Sequence, residues 1–125
     1  MGCSSSVSYH KVYMDAAAVK KEDGISEKES VILAKKFIIS KGMASRLYSL
    51  EPIAVHQRVL WNKNGEKIEF DVFPDKNFAL DLERRYEVLF KDKEGSLLAG
   101  AYPVIPFYVD VDEKTGAILE WGLKK

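Results

Sequence analysis

The sequence predicts an α+β domain in which one N-terminal helix packs across an antiparallel sheet of four to five strands. One stretch with helical spacing of its apolar residues comes first, and the later apolar stretches alternate with a period of two, as strands do. Short polar turns that end in Gly join two pairs of these strand-like stretches, which is typical of β-hairpins. Strands that follow a single helix favour an antiparallel sheet with the helix on one face.

The 125-residue chain has room for one domain, and its composition argues against several functions. It carries 19 basic and 19 acidic residues, whereas a nucleic-acid-binding domain usually presents a basic surface. Its single cysteine, Cys3, excludes an internal disulfide and a multi-cysteine metal site. No apolar run approaches the ~18–20 residues of a membrane-spanning helix. We therefore expect no nucleic-acid partner, no metal and no cofactor.

Residues 1–24 are predicted to form a flexible leader or tether, and residues 25–125 a single α+β domain. The leader is polar and its apolar residues are scattered, so it offers too little contiguous apolar area to offset the entropy of ordering. Only residues 16–19 have the composition of a helical turn.

The start of the leader contains two overlapping lipidation signals. Gly2-Cys3-Ser4 resembles the end of a bacterial lipoprotein signal, in which the cysteine becomes the lipidated N-terminus. The apolar region of such a signal is absent, so this hypothesis requires that Met1 stands in its place. Alternatively, Gly2 and Ser6 fit an N-myristoylation signal, with Cys3 available for palmitoylation as a second anchor. An unmodified terminus is the third interpretation. A lipoprotein would lie on the extracytoplasmic face of a membrane, and a myristoylated protein on the cytoplasmic face.

The pattern predicts a helix over residues 26–41. Ser26 and Glu29 fit a capping box, in which the hydroxyl accepts from the Glu29 amide and the carboxylate accepts from the Ser26 amide. Apolar residues then recur at three- and four-residue spacing. Gly42 is suited to end the helix because it can adopt a positive φ. The broad apolar face of this helix requires a sheet to pack on.

Alternating apolar and polar residues predict two hairpins and a strand between them. Asn-Lys-Asn-Gly at residues 62–65 and Asp-Glu-Lys-Thr-Gly at residues 112–116 are the predicted turns. The predicted strands are residues 53–61, 68–72, 86–90, 105–111 and 117–123.

The residues that could support catalysis or metal binding have ordinary structural interpretations. His10 lies in the predicted tether and His56 on a strand face that we expect to be exposed, with no partner evident for either. The acidic residues Asp110 and Asp112 lack the spacing of a calcium-binding loop and are interpreted as turn residues that accept bonds from nearby backbone amides. Charged residues around Arg85 are interpreted as solvated surface.

Three stretches resemble PepSY-type domains: ISEKES at residues 25–30, RYEVLF at residues 85–90 and FYVDVDEKTGAIL at residues 107–119. The resemblance implies a cystatin-like roll, often secreted or lipid-anchored, that binds or restrains a peptidase or another protein, and it implies no catalytic residues. QRVLW at residues 57–61 is also similar to the Gln-x-Val-x-Gly segment of cystatin inhibitors, with Trp61 in place of the final Gly. Small immunity proteins of NTF2-like shape are similar in layout, and would imply a toxin-like partner.

Our leading hypothesis is a non-enzymatic, membrane-tethered module that binds or inhibits a protein. The candidate contact residues are those of the first predicted turn, Asn62, Lys63, Asn64 and Gly65. The sheet face away from the helix, expected to be only partly polar, would extend this contact; its apolar members are Leu60, Phe73, Leu89 and Tyr108.

Two alternatives remain open at this stage. An NTF2-like ligand carrier or enzyme would enclose an apolar pocket. The residues expected to line such a pocket, or otherwise to fill the core, are Phe70, Tyr86, Phe107 and Trp121. A toxin-immunity protein is the second alternative.

Overall fold

The computed structural model describes residues 2–20, 22, 24–63, 66–69, 82–94 and 105–124, with the backbone alone for residues 2–8, 62 and 63. Its elements are α1 (Gly2–Ala17), α2 (Glu27–Ser40), a 3-10 turn (Ala44–Arg46), β1 (Ala54–Lys63), β2 (Glu66–Glu69), β3 (Leu82–Phe90), β4 (Phe107–Asp112) and β5 (Ile118–Leu123). All strand pairs are antiparallel. The predicted α+β class is confirmed, but the described chain has two helices rather than one.

The five described strands form one sheet in the order β2-β1-β3-β4-β5. Both predicted hairpins are present, since β1 pairs with β2 and β4 pairs with β5. The remaining strand, β3, pairs with β1 on one side and β4 on the other. Within the described chain, β2 and β5 are therefore the two edge strands, and β5 presents one side that is not paired with β4.

The ends of α2 follow the predicted local signals. The Glu29 amide donates to Ser26 Oγ at 3.1 Å, and the Ser26 amide donates to Glu29 Oε1 at 3.0 Å, which completes the capping box. The helix ends at Ser40, and Gly42 follows with a φ of 69°. These signals act over three or four residues, so the local sequence predicts where the helix begins and ends.

The core lies between α2 and one face of the sheet, which we call the inner face. Alternation along the strands and the cross-strand register place a row of apolar side chains there, because Val55 pairs with Val88, Val88 with Val109, and Val109 with Trp121. The fully buried members of the core are Ala34, Ile38, Val88, Phe90, Phe107, Val109 and Val111.

The N-terminal segment holds a helix where the sequence predicts a tether. α1 packs against α2, and Tyr13 Oη lies 3.4 Å from Ser40 Oγ. Ala16 is buried in the core cluster, with Val19 and Ile32 packed beside it. Val12 and Ala16 lie four residues apart on α1, so a narrow apolar stripe suffices once α2 provides a surface. The division of the chain at residue 24 stays a prediction.

The connection between α2 and β1 is held to the end of β3. Leu47 forms a β-bridge with Asp92, and Arg46 Nε donates to Asp92 Oδ1 at 2.7 Å. The Arg46 guanidinium also lies 4.9 Å from the centroid of the Phe107 ring. This connection is thus held by contacts with residues more than forty positions away.

Candidate interaction surface at the β5 edge

The sheet face opposite α2, which we call the outer face, carries a network of ion pairs centred on Arg58. Arg58 Nε and Nη2 donate to the two carboxylate oxygens of Glu69 at 2.9 and 2.8 Å. Arg58 Nη1 donates to Asp110 Oδ2 at 3.0 Å and to Glu87 Oε2 at 3.3 Å. One arginine on β1 therefore links β2, β3 and β4.

Arg85 extends this network toward β5. Its Nη1 donates to Asp110 Oδ2 at 2.9 Å and to Glu120 Oε2 at 3.2 Å, and its Nη2 donates to Glu83 Oε1 at 2.6 Å. Arg85 is 2% exposed and Asp110 0% exposed. The outer-face network, as we use the term, consists of Arg58, Lys67, Glu69, Glu83, Arg85, Glu87, Asp110, Glu120 and Lys124.

Burial and pairing shift the pKa values of the acids in this network in different directions. Burial raises the pKa of Asp110, although Arg85 and Arg58 oppose the shift. The hydrogen bonds from Arg58 lower the pKa of Glu69. Burial acts to raise the pKa of Glu83, but hydrogen bonds from Lys67 and Arg85 outweigh it and the pKa falls. The paired charges cross all five strands, and we assign them a structural role.

The network corrects two interpretations made from the sequence. Arg85 is buried rather than solvated, and Asp110 pairs with two arginines rather than serving the turn. The turn role holds for Asp112, whose carboxylate accepts from the Thr115 hydroxyl at 2.6 Å. The sequence predicts a partly apolar contact surface on the outer face, but its described centre is ionic. Leu60 and Leu89 are buried, Tyr108 is half-buried, and Phe73 lies outside the described residues.

The edge strand β5 exposes large apolar side chains. Trp121 is 47% exposed and Leu119 37% exposed. The Lys124 amide donates to Pro106 O at 2.9 Å, and this register continues through Gly122, which pairs with Tyr108. Because hydrogen-bonding direction alternates along an antiparallel strand, the backbone groups of Trp121 then point away from β4. Among the residues that the structure describes, no strand pairs with this side of β5.

An apolar groove runs beside β5, where α2 overhangs the edge of the sheet. It has a volume of about 240 Å³. Its lining consists of Leu33, Lys36, Phe37, Ser40, Gly116 and Ile118. The Phe37 and Trp121 ring centroids lie 5.7 Å apart, and those of Phe107 and Trp121 lie 6.1 Å apart. We call the set Phe37, Ile118, Leu119 and Trp121 the β5 patch.

Two larger cavities lie on the helical side of the fold, away from β5. One, of about 440 Å³, lies between α1, α2 and the segment before β1, where Lys35 Nζ pairs with Glu51 Oε1 at 2.9 Å. The other, of about 500 Å³, lies between α1 and α2 and is lined partly by Lys28 and Glu29. Both are surface grooves lined by polar and apolar residues. Neither is lined by the aromatic residues that the sequence predicts in a pocket or core, of which Tyr86, Phe107 and Trp121 are described. Of those residues, Phe107 is fully buried in the core, and Phe70 lies outside the described residues.

The residues predicted to carry the lipid and the contact are not members of the β5 patch. Gly2 and Cys3 stand at the start of α1, and lipidation of either stays a prediction. Asn62 and Lys63 end β1, while Asn64 and Gly65 lie outside the described residues, so the contact role of this turn also stays a prediction.

The two histidines are exposed, and the cystatin-like segment lies within β1. His10 on α1 and His56 on β1 are both exposed. Gln57 and Trp61 belong to β1, where they pair with Tyr86 and Leu82 of β3, and the cystatin-like resemblance stays a prediction. Gln57 Nε2 also donates to Glu113 Oε2 at 3.0 Å, so its side chain is engaged within the fold.

Within the described ranges, no group of three or more His, Cys, Asp or Glu side chains is arranged to hold a metal ion. Neither described helix is long and apolar enough to cross a membrane. Comparison of the chain with protein-family models, with curated proteins and with solved structures gives no match. The function must therefore be argued from the geometry of the chain itself.

The β5 patch is not among the contact residues predicted from the sequence. Trp121 was expected in a pocket or a core, and the alternation of β5 does indicate one apolar face. Its exposure follows from the position of β5 at the sheet edge, which the strand order decides. The available signal was the high apolar content of a C-terminal strand that follows a tight turn.

Proposed function

We propose that this protein is a non-enzymatic, membrane-tethered module that binds or inhibits a protein, in line with its PepSY-like resemblance. The observation that supports this function is the β5 patch. An exposed apolar edge strand is a site where an added strand can gain backbone hydrogen bonds while its side chains enter a neighbouring groove. Here the unpaired side of β5 borders a groove with Phe37 and Trp121 beside it.

The rest of the fold supports such a surface by holding β5 in place. Phe107 packs under Trp121 on the inner face, and Glu120 is bonded to Arg85 on the outer face. Because β5 is held from both faces, it loses little conformational entropy when it binds a partner, and this small entropic cost favours affinity. The exposed residues of β5 are therefore presented on a rigid element.

The proposed anchor is a lipid on Cys3, or on Gly2 with Cys3 as the second site. A single acyl chain gives only marginal membrane binding, so two signals are needed for a stable attachment. The proposed partner is a protein of the peptidase or toxin class, reached at the same membrane.

Site-specific photo-crosslinking tests the contact function in the native membrane. A photoreactive residue in place of Leu119 on β5 is compared with one in place of Ile68 on β2, the other described edge, which is 41% exposed. We expect a discrete protein adduct from position 119 alone. The adduct should weaken at least ~10-fold when Trp121→Ala is added, because ~1.4 kcal/mol of lost contact is tenfold in affinity.

Equal adducts from the two edges, or none from position 119, would contradict the proposed function. The mass of the adduct also identifies the kind of partner. A species of twice the chain mass of 14.2 kDa indicates a second copy, and any other mass indicates a different protein.

A further inference from the structure

We infer that the unpaired side of β5 binds β5 of a second copy, antiparallel, with Glu120 opposite Lys124 of the partner subunit. This inference rests on the proposed function, because it takes β5 as the interaction surface. The second copy is a further occupant of that edge, distinct from the peptidase- or toxin-class partner, and the two would compete for the unpaired side of β5. The resulting dimer has a twofold axis through Gly122, and one antiparallel sheet continues across both copies.

The backbone restricts the registers that are available. Trp121 and Leu123 turn their N–H and C=O groups away from β4, since Lys124 and Gly122 are the residues that bond to it. In a twofold antiparallel pair, the bonded residues must both come from this outward-facing set. If Trp121 pairs with Leu123 of the partner subunit, the twofold axis also pairs Leu123 with Trp121 of the partner subunit. Each bonded pair exchanges two backbone hydrogen bonds, so the register forms about four.

The charges select this register among those that the backbone allows. It places Glu120 opposite Lys124 of the partner subunit at two symmetric positions on the outer face. The Glu120 side chain is 58% exposed and the Lys124 side chain 46% exposed, so both can contact a neighbour while keeping their bonds to Arg85 and Glu87. A shift of two residues toward the N-terminus would place Glu120 opposite Gly122 and Lys124 opposite Ile118, with no charge pair.

The inner face and the axis also suit this register. Leu123 of the partner subunit lies beside Trp121, which already contacts Phe37, so the exposed half of the indole is covered. Gly122 stands on the axis, where the absence of a side chain permits close approach. Its φ of 146° is also a conformation that side chains rarely adopt, so Gly is required there on two grounds.

The interface is small, and its affinity in dilute solution should be weak. Interfaces below about 1,200 Å² are typical of transient contacts. Attachment of both copies to one membrane raises their effective concentration, so a weak contact can be populated there.

Cysteine pairing tests the register. In a Cys3→Ser background, Glu120→Cys and Lys124→Cys chains of different tag length are mixed and oxidised. Opposite residues have Cα atoms ~4.5–5.5 Å apart, which suits a disulfide. Two copies of the same variant would hold their cysteines ~13 Å apart, four residues along the strand. We expect mixed disulfides between the two variants, and at least ~10-fold less from either variant alone or from Glu66→Cys on β2.

Amide hydrogen exchange tests the same inference on the unaltered protein. The Trp121 and Leu123 amides should gain protection as the protein concentration rises, while the Gly122 amide, already directed at β4, should not change. Leu123→Pro, which removes an outward amide and leaves the bonds to β4, should abolish this dependence. Concentration-independent exchange, together with no mixed disulfide, would overturn the inference. If Leu119 still yields an adduct of another mass, the proposed function survives that result.

Discussion

Removal of the Phe107 ring should destabilise the protein more than any change at its exposed apolar positions. Phe107 is fully buried between α2 and the sheet, 6.1 Å from the Trp121 ring, with the Arg46 guanidinium 4.9 Å above it. Phe→Ala in a core costs ~3–5 kcal/mol, and loss of a partly exposed cation–π contact costs a further ~0.5–1 kcal/mol. We expect Phe107→Ala to lower the free energy of unfolding by about 4–5 kcal/mol.

Urea denaturation followed by tryptophan fluorescence and circular dichroism measures this effect. Domains of this size have m-values of ~1–3 kcal/mol/M, so the midpoint should fall by about 2 M with an unchanged m-value. The matched control is Ile53→Ala, since Ile53 is 57% exposed and its deletion should change stability by less than ~0.5 kcal/mol.

A loss below about 1 kcal/mol for Phe107→Ala would refute the packing described here, because no fully buried aromatic residue is that dispensable. A loss of stability no larger than that of Ile53→Ala would refute this packing as well. The variant also tests the support of β5. If Phe107 holds Trp121 in place, crosslinking from position 119 should weaken under conditions in which the variant is still folded.

Three further predictions concern the helix cap, the acid response and the anchor. Ser26→Ala should cost ~1 kcal/mol by thermal denaturation, and Ser26→Asp should restore most of it; equal stability of all three proteins would contradict the capping role. The pKa of Glu69 is lowered from 4.5 by Arg58, so its contribution is present above pH 4.5 and is lost as the pH falls through the lowered value. Glu69→Gln should therefore reduce the loss of melting temperature between pH 6 and 3, by an amount worth at most ~1 kcal/mol because the pair is exposed. Cys3→Ala should move the native protein from the detergent phase to the aqueous phase, and unchanged partitioning would remove the lipid hypothesis for this residue.

The sequence determined the elements whose signals are local. The capping box of α2, the positive φ of Gly42 and the turn around Gly116 depend on residues within a few positions of one another. The alternation of β1 and β4 likewise needs only its own strand, whereas the pairing of β4 with β5 contains a register shift between Asp110 and Val111. For these elements, the prediction from sequence and the described structure agree.

α1 shows where local information is insufficient. Its apolar content is too low to predict a stable helix, since an isolated segment of this length is marginal in water. The surface of α2 gives Ala16 and its neighbours something to pack on. Tertiary contacts, rather than the helix propensity of its own sequence, therefore stabilise α1.

The outer-face network and the β5 patch depend on strand order, which no local pattern contains. Arg58 and Asp110 are 52 positions apart and meet only because β3 lies between β1 and β4. Trp121 is exposed because β5 is an edge strand of the described sheet. The same residues in a central strand would be covered by neighbouring strands and by α2. Sequence alone thus determined α2 and the strands of the two hairpins, whereas tertiary packing ordered α1 and long-range pairing decided which charges are buried and which apolar side chains remain available to a partner.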